Sequence, residues 1–306
     1  MASIAKPQDI QPDEPLLLSE FVQGYWRLAQ WQMSPQARLT FIKQHLELGV
    51  SSIDQADIYG GYRSETLLGE ALRLQPAIRQ QLQIVSKCGI KLNVPGGPGC
   101  TVNHYDSGRQ HMLQSVDDSL RRMRIEKLDL LLIHRPDLLM DADEVAEAFE
   151  TLHASGKVSH FGVSNFSPSQ FALLQSRWRL PLATNQVEIN PFNFAVAEDG
   201  TLDQLQQQRV RPMAWSCLAG GRLLSDDSMQ AQRLRTELTA IATEVNADSI
   251  EQVVFAWVRM LPSKPRPILG SGNIARVRDA LASTKLSLSR EQWYRIWVAA
   301  KGHGVP

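Results

Sequence analysis

An excess of charge of either sign is missing from this sequence. Lys plus Arg and Asp plus Glu each number 32 in 306 residues, so the formal net charge is zero, and no broad field draws in nucleic acid or anionic lipid. Cysteine is scarce: Cys88, Cys100 and Cys217 are odd in number and far apart, which fits neither a disulfide framework nor a paired-cysteine metal site. The seven histidines fall into no HExxH or other ligand-like spacing, and no metal centre is expected. Residues 1–20, MASIAKPQDIQPDEPLLLSE, lack an apolar core of signal-peptide length. No other run approaches the ~20 apolar residues of a membrane span. The expectation is a cytoplasmic protein whose partner is a small molecule, not nucleic acid or membrane, and a monomer or homodimer fits equally well.

What is present is an alternation. Short apolar runs rich in strand formers recur at 21–26, 50–56, 83–89, 128–134, 158–164, 182–188, 211–217 and 266–271, with longer segments of helical spacing between them. That rhythm implies βα units around a parallel sheet. Ser34-Pro35 and Ser167-Pro168 each place a capping hydroxyl before a proline suited to the first helical position. Leu113, Val116, Leu120 and Met123 recur at helical spacing, as do Val145, Phe149 and Leu152, with Gly156 placed to end the second helix. Asp248 with Glu251 has the form of a capping box, and Trp293 and Trp297 lie one turn apart. Length alone suggests about two domains of ~150 residues. No low-complexity linker divides the chain, and eight strand–helix repeats fit one (β/α)₈ TIM barrel over 1–306, with 1–20 as an N-terminal extension or hairpin. Residues 89–108, rich in glycine and proline, form the longest irregular stretch and are expected to wall a substrate pocket.

A barrel of this kind carries its site at the C-terminal ends of its strands. Polar residues gather at those ends: Asp54, Lys87, His134, Ser164 and Asn165, Gln186, Trp215 and Ser216, and Ser271. Tyr59 follows Asp54 by five residues. A tyrosine acts as a general acid when a nearby cation brings its pKa down from about 10. Lys87 is the expected cation, Asp54 the group that holds it, and His134 the hydrogen-bond partner of the carbonyl oxygen to be protonated. An isolated Asp–Lys pair is more often structural; the joint placement of four groups is what favours a site. Asp57 is expected to cap or solvate its loop.

The chain resembles the aldo/keto reductases. The likeness rests on Asp54, Ala56 and Tyr59, on Ser64-Glu65 with 68–72 (LGEAL), on Lys87 in VSKCG, on His134 in DLLLIHRPD, on GVSNF at 162–166 and on NQVEIN at 185–190. It implies a (β/α)₈ barrel and an NAD(P)H-dependent enzyme, with NADPH (NADP⁺) as cofactor and an aldehyde or ketone as substrate, reversibly reduced to the alcohol. Tyr59, Lys87, Asp54 and His134 are then the catalytic group. Ser164, Asn165 and Gln186 would hold the nicotinamide amide, Trp215 would stack on its ring, and Gly24, Tyr25 and Trp26 would add cofactor contacts. The segment from Ser216 through Cys217, Leu218, Gly220, Gly221 and Arg222 would follow the pyrophosphate. Gly270, Ser271, Gly272, Asn273 and Arg276 would grip the adenosine phosphate. Many members carry a lysine where this chain has Gly270, which leaves the preference for NADPH to Arg276 and Arg278.

Gly270 to Ala275 also spells the G-x-G-x-x-A of a Rossmann fingerprint, but 31 residues after Ala275 are too few for such a domain. Cys88, beside Lys87, reads first as a small buried hydrophobe rather than a redox sensor. Two other functions remain open on sequence: an NADPH-binding sensor with little turnover, and a lyase forming a Schiff base on Lys87.

Overall fold

The computed structural model describes residues 16–306; the portion of the expected N-terminal extension or hairpin up to residue 15 lies outside them. Each apolar run becomes a strand: β1 (Val22–Gly24), β2 (Ser52–Asp54), β3 (Gln83–Cys88), β4 (Leu128–Ile133), β5 (Val158–Ser164), β6 (Asn185–Glu188), β7 (Met213–Trp215) and β8 (Arg266–Leu269). Every registered neighbour pair among them is parallel. They close into a barrel in chain order, β8 lying beside β1, as the alternation predicts. The runs are nearly continuous in apolar residues because both faces of a parallel strand are covered; Leu128, Leu130, Leu131, Leu132 and Ile133 of β4 are all at most 1% exposed.

The helices follow from local chemistry. In α1 (Pro35–Glu47) the Ser34 hydroxyl accepts the Ala37 N–H, and α2 (Ser64–Leu74) and α3 (Arg109–Met123) follow the next two strands. Buried positions on α3 are Met112, Val116, Leu120 and Met123; the apolar stripe enters through Met112, while Leu113 is only half-buried. After α4 (Ala142–Ala154), Gly156 turns the chain at φ 71°. A full capping box with Gln170 opens α5 (Pro168–Gln175) at Ser167.

The later helices are α6 (Thr201–Gln207), α7 (Met229–Glu244), α8 (Ile250–Arg259), α9 (Ile274–Ala282) and α10 (Arg290–Lys301). One cap falls a residue later than the sequence suggests. Ser249, not Asp248, accepts the Gln252 N–H at the start of α8, while the Gln252 side chain reaches back to the Asp248 N–H at 3.1 Å. A hydroxyl and a carboxylate are nearly equal as caps, and Asp279 decides between them by accepting from the Ser249 hydroxyl at 2.8 Å.

Within the barrel the described residues group into two compact units, the first ending at Gln186 and the second beginning at Val187. In the first, α2 and α3 approach so closely at Gly69 that a Cβ there would collide with the Arg122 carbonyl. In the second, the Trp257 and Trp293 rings stack 5.0 Å apart, and each indole N–H donates to the other residue's carbonyl at 3.2 Å. No helix among the described residues is long and apolar enough to cross a membrane.

Candidate active site

The site in the first unit is assembled at the ends of β2 and β3, which pair with Asp54 beside Val85. From there Asp54 and Lys87 reach each other, with Lys87 Nζ donating to Asp54 Oδ2 at 2.8 Å. The same nitrogen donates to the Gln55 carbonyl at 2.8 Å and to the Tyr59 hydroxyl at 2.9 Å. An ammonium has three donors, so all of its capacity is used. Lys87 is 1% exposed and Asp54 3% exposed, and a buried charge pair of this kind survives only when its remaining polar atoms are satisfied. Gln186, the second residue of β6, supplies the other contact: its side-chain N–H donates to Asp54 Oδ1 at 2.7 Å.

Tyr59 is aimed by a turn that runs through left-handed backbone. Gly60 and Gly61 sit at φ 61° and 64°, the left-handed region that glycine enters at little cost, and Tyr62 follows at φ 66°. A Cβ on Gly60 would stand 2.8 Å from the Ser64 Oγ, so no side chain fits there without movement. The turn leaves Tyr59 half-buried with the His134 ring edge-on at 5.7 Å. The His134 backbone is held by its main-chain N–H, which donates to the Cys88 carbonyl at 2.8 Å. Its Nδ1 is buried and without a partner among the described residues.

The electrostatics differ from expectation in one respect. Lys87 was expected to lower the Tyr59 phenol; instead burial, followed by the Asp54 carboxylate, holds that phenol well above its ordinary value, with Arg135 opposing. Burial also lowers the Lys87 ammonium, against the pull of Asp54. His134 is driven well below the usual imidazole range by burial, then by Lys87 and Arg135. At neutral pH the pocket therefore presents a protonated phenol and a neutral imidazole, each able to donate one hydrogen bond.

Beside this group lie Ser164 and Asn165. The Ser164 hydroxyl donates to the Gln186 carbonyl at 2.9 Å and accepts from Asn165 Nδ2 at 2.8 Å. Asn165 stands at φ 60°, a strained backbone of the sort found at ligand sites. Not every expected contact has a free side chain. Tyr25 is 1% exposed, with its hydroxyl 3.0 Å from His45 Nε2, and its backbone is engaged as well, the N–H donating to the Asp54 carbonyl at 2.9 Å and the carbonyl accepting from Leu28 at 3.0 Å, so its expected contact with a cofactor finds no free group here. Trp26 is 57% exposed beneath the Arg27 guanidinium, and Gly24 is buried in β1.

In the second unit, β7 ends on the half-buried Trp215, and the chain then runs through left-handed backbone at Ser216, Ala219, Gly220 and Gly221 (φ 53°, 50°, 68° and 102°). Two of the N–H groups here are bonded within the turn, Ala219 to the Ser216 carbonyl at 2.7 Å and Gly221 to the Leu218 carbonyl at 2.9 Å, and the glycines keep side chains away from any ligand that follows this backbone. The Cys217 side chain is buried, with Sγ on the Ala214 carbonyl at 3.3 Å and its thiol pushed up to about 12, so this residue offers backbone alone. Leu218 is half-buried, and the Arg222 guanidinium is held by Asp226 at 2.8 Å.

The neighbouring strand β8 leads to exposed Gly270, then to Ser271 and Gly272. Asn273 caps α9 by accepting the Ala275 N–H at 2.9 Å, while Ser271 Oγ accepts the Asn273 N–H. Arg276 is exposed on the first turn of α9. A Cβ on Gly270 would meet nothing within 4 Å, so the absence of a lysine there is not imposed by space.

Three groups around the site have surroundings that sequence reasoning did not foresee. The Gln55 carbonyl, third acceptor of Lys87, leaves no mark in sequence because any residue has one. Asp57 is 3% exposed, not solvated: its Oδ2 accepts from Ser115, 58 residues away on α3, at 2.9 Å. Glu65 is wholly buried, bonding Ser86 at 2.7 Å and Arg122 at 3.2 Å beneath β3. Cys88 is buried and its thiol is raised well above its ordinary value by that burial, which removes the thiolate a redox sensor needs. The 89–108 segment folds back as a short hairpin, Ile90–Lys91 against His104–Tyr105. It walls a cavity that includes Asp57 and Tyr62 but not Asp54, Tyr59, Lys87 or His134.

Comparison with known proteins agrees with this fold. The aldo/keto reductase family model matches residues 20–300. The chain is 58% identical to the oxidoreductase YdhF of Escherichia coli (strain K12), over 94% of this chain and 95% of that one. It is 40% identical to a 6-dehydroglucose reductase of Agrobacterium fabrum, over 97% and 99% of the two chains. A glycerol dehydrogenase structure from Gluconobacter oxydans superposes with a TM-score of 0.80 at 25% identity, covering 95% of this chain and 93% of its own. Family model, relatives and closed parallel barrel coincide: the chain belongs to the aldo/keto reductase family and is an oxidoreductase.

Proposed function

We propose that the protein reduces an aldehyde or ketone to an alcohol with NADPH, Tyr59 giving the proton. The observation that carries this reading is the single Lys87 nitrogen bonded at once to Asp54, the Gln55 carbonyl and the Tyr59 hydroxyl, with His134 edge-on to the tyrosine. The residues after β7 and β8 suit a dinucleotide: a turn with two left-handed glycines that lets phosphates approach the backbone closely, a half-buried tryptophan for a flat ring, and an exposed arginine on the first turn of a helix. When bound, the reduced nicotinamide supplies the hydride to the carbonyl carbon. The Tyr59 O–H bond breaks as its proton passes to the carbonyl oxygen, and solvent returns a proton to the tyrosinate.

The raised phenol keeps the donor protonated between turnovers, and the Lys87 ammonium 2.9 Å away meets the negative charge that develops on the tyrosine oxygen. His134, neutral, orients the substrate oxygen. Ser164, Asn165 and Gln186 position the nicotinamide amide. Gln186, which already holds Asp54, ties that position to the catalytic carboxylate. Arg276 with Arg278 favours the 2′-phosphate of NADPH, and Gly270 offers it no charge. A Lys87 Schiff base fits less well, because Nζ is buried and its three donors are occupied. The test is Tyr59→Phe: turnover should fall by about 10²-fold or more while NADPH still quenches tryptophan fluorescence with nearly unchanged affinity. Full carbonyl reduction by this variant would remove Tyr59 from the mechanism. The 6-dehydroglucose reductase similarity makes polyhydroxylated aldehydes the first carbonyls to try.

A further inference from the structure

Beneath the 89–108 hairpin lies a cavity of about 750 Å³, lined by residues of that segment, by α3 and by the chain just after β2. Its acids outnumber its cations, and the cations are already committed: Lys91 pairs with Asp106 at 2.8 Å, and Arg122 turns to Glu65. Two of the other acids are also engaged, Asp118 by Arg121 at 2.8 Å and Glu144 by the Arg109 N–H at 2.8 Å. Asp57 is the exception. Buried to 3% exposure, it accepts from Ser115 on one oxygen, while the other, Oδ1, has no partner among the described residues. The Nε2 of His111, also in the lining, is buried and unpartnered as well. Buried polar atoms are rarely left this way unless something else completes them.

We propose that this cavity is a second ligand site, separate from the Tyr59 pocket, and that it takes a small organic cation, an ammonium or guanidinium group, with Asp57 as the anchoring carboxylate. A metal ion is disfavoured because no group of three His, Cys, Asp or Glu able to hold one occurs among the described residues. The lining is mainly polar, with Gln110, Gln114, Ser115 and Tyr62 beside the charged groups, which suits the N–H donors of such a head group and not an apolar ligand. Asp57 also donates its N–H to the Lys87 carbonyl at 3.1 Å and lies two residues from Tyr59. A ligand held there sits one bond away from the chain that carries the catalytic pair.

Burial and the neighbouring Glu65 push the Asp57 carboxyl up to about 8, against Ser115 and Arg122. Lys87 and Cys88 of β3, Tyr59 and Tyr62 of its own loop, and His111 of α3 complete the titratable groups around it. Below that value a proton occupies the carboxyl, and a cation must displace it, so affinity should rise with pH between about 6.5 and 8.5.

The experiment is calorimetric titration of the full-length protein with n-butylammonium and with guanidinium chloride, against sodium chloride at equal ionic strength, in two buffers of different ionisation enthalpy. The expected result is saturable binding of at least one organic cation with proton release, about tenfold or more weaker in Asp57→Asn. Gln114→Trp, which fills the cavity mouth from an exposed helical position, should weaken it too and serves if Asp57→Asn does not fold. No saturable binding by the wild type, heat that depends on ionic strength alone, or binding unaltered by the variants would overturn the proposal. Because the readout needs neither NADPH nor turnover, it stands apart from the reductase reading.

Discussion

Lys87 spends its three donors on Asp54, Gln55 and Tyr59, so substituting it removes more than one bond. Lys87→Met should leave the buried Asp54 carboxylate uncompensated, remove the charge that faces the tyrosine oxygen as it loses its proton, and cut kcat by about 10²–10⁴-fold, measured by steady-state kinetics beside a thermal melt that checks folding. Gly270 permits the opposite experiment. Nothing would obstruct a side chain there, and Gly270→Lys should tighten NADPH about tenfold while leaving NADH nearly unchanged; equal tightening of both would mean the 2′-phosphate lies elsewhere. At this scale the sequence was legible where chemistry and strand ends coincide, as with Asp54, Lys87 and His134. It failed for Asp57 and Glu65, because burial is a property of what packs around a residue: Ser115 and Arg122, which engage them, come from a helix more than fifty positions away. It also misjudged the direction in which Tyr59 is displaced, since a spacing shows the cation and not the desolvation.

Elements were easier to foresee than their seams. The eight strands appear where apolar runs were found because parallel strands covered on both faces need such runs, and the Ser-Pro caps act as their chemistry dictates. The α8 cap shifted by one residue because Asp279, outside the local pattern, chose Ser249. Between α1 and β1, the Tyr25 hydroxyl meets His45 Nε2 at 3.0 Å while His45 Nδ1 meets the Val50 carbonyl at 2.6 Å, a buried link no periodicity announces. Burial lowers this imidazole to about 4. Below its ordinary value near 6.5 the unfolded chain takes the proton first, so this link's contribution is intact above pH 6.5 and is lost as pH falls from 6.5 toward 4. The full loss amounts to about 3 kcal/mol. Urea midpoints across that range should fall in the wild type more steeply than in His45→Gln, which has nothing to protonate; parallel slopes would contradict the assignment. The α2–α3 seam has no slack either. Gly69→Ala should destabilise the protein by about 1–3 kcal/mol, read as a lower melting temperature.

For the whole molecule, the alternation of strands and helices was enough to foresee a closed (β/α)₈ barrel, because few topologies accommodate eight parallel strands in sequence. The barrel places no constraint on substrate: fold and function are separable. The central claim is that Tyr59 gives the proton to a carbonyl that NADPH reduces. The decisive measurement is multiple-turnover NADPH oxidation by the wild-type protein across a panel of aldehydes and ketones that includes polyhydroxylated aldehydes, followed at 340 nm. Carbonyl-dependent NADPH loss, with one alcohol formed per cofactor consumed and abolished in Tyr59→Phe, is the expected result. Tight NADPH binding with no turnover on any carbonyl would contradict it and leave a cofactor-binding sensor in its place.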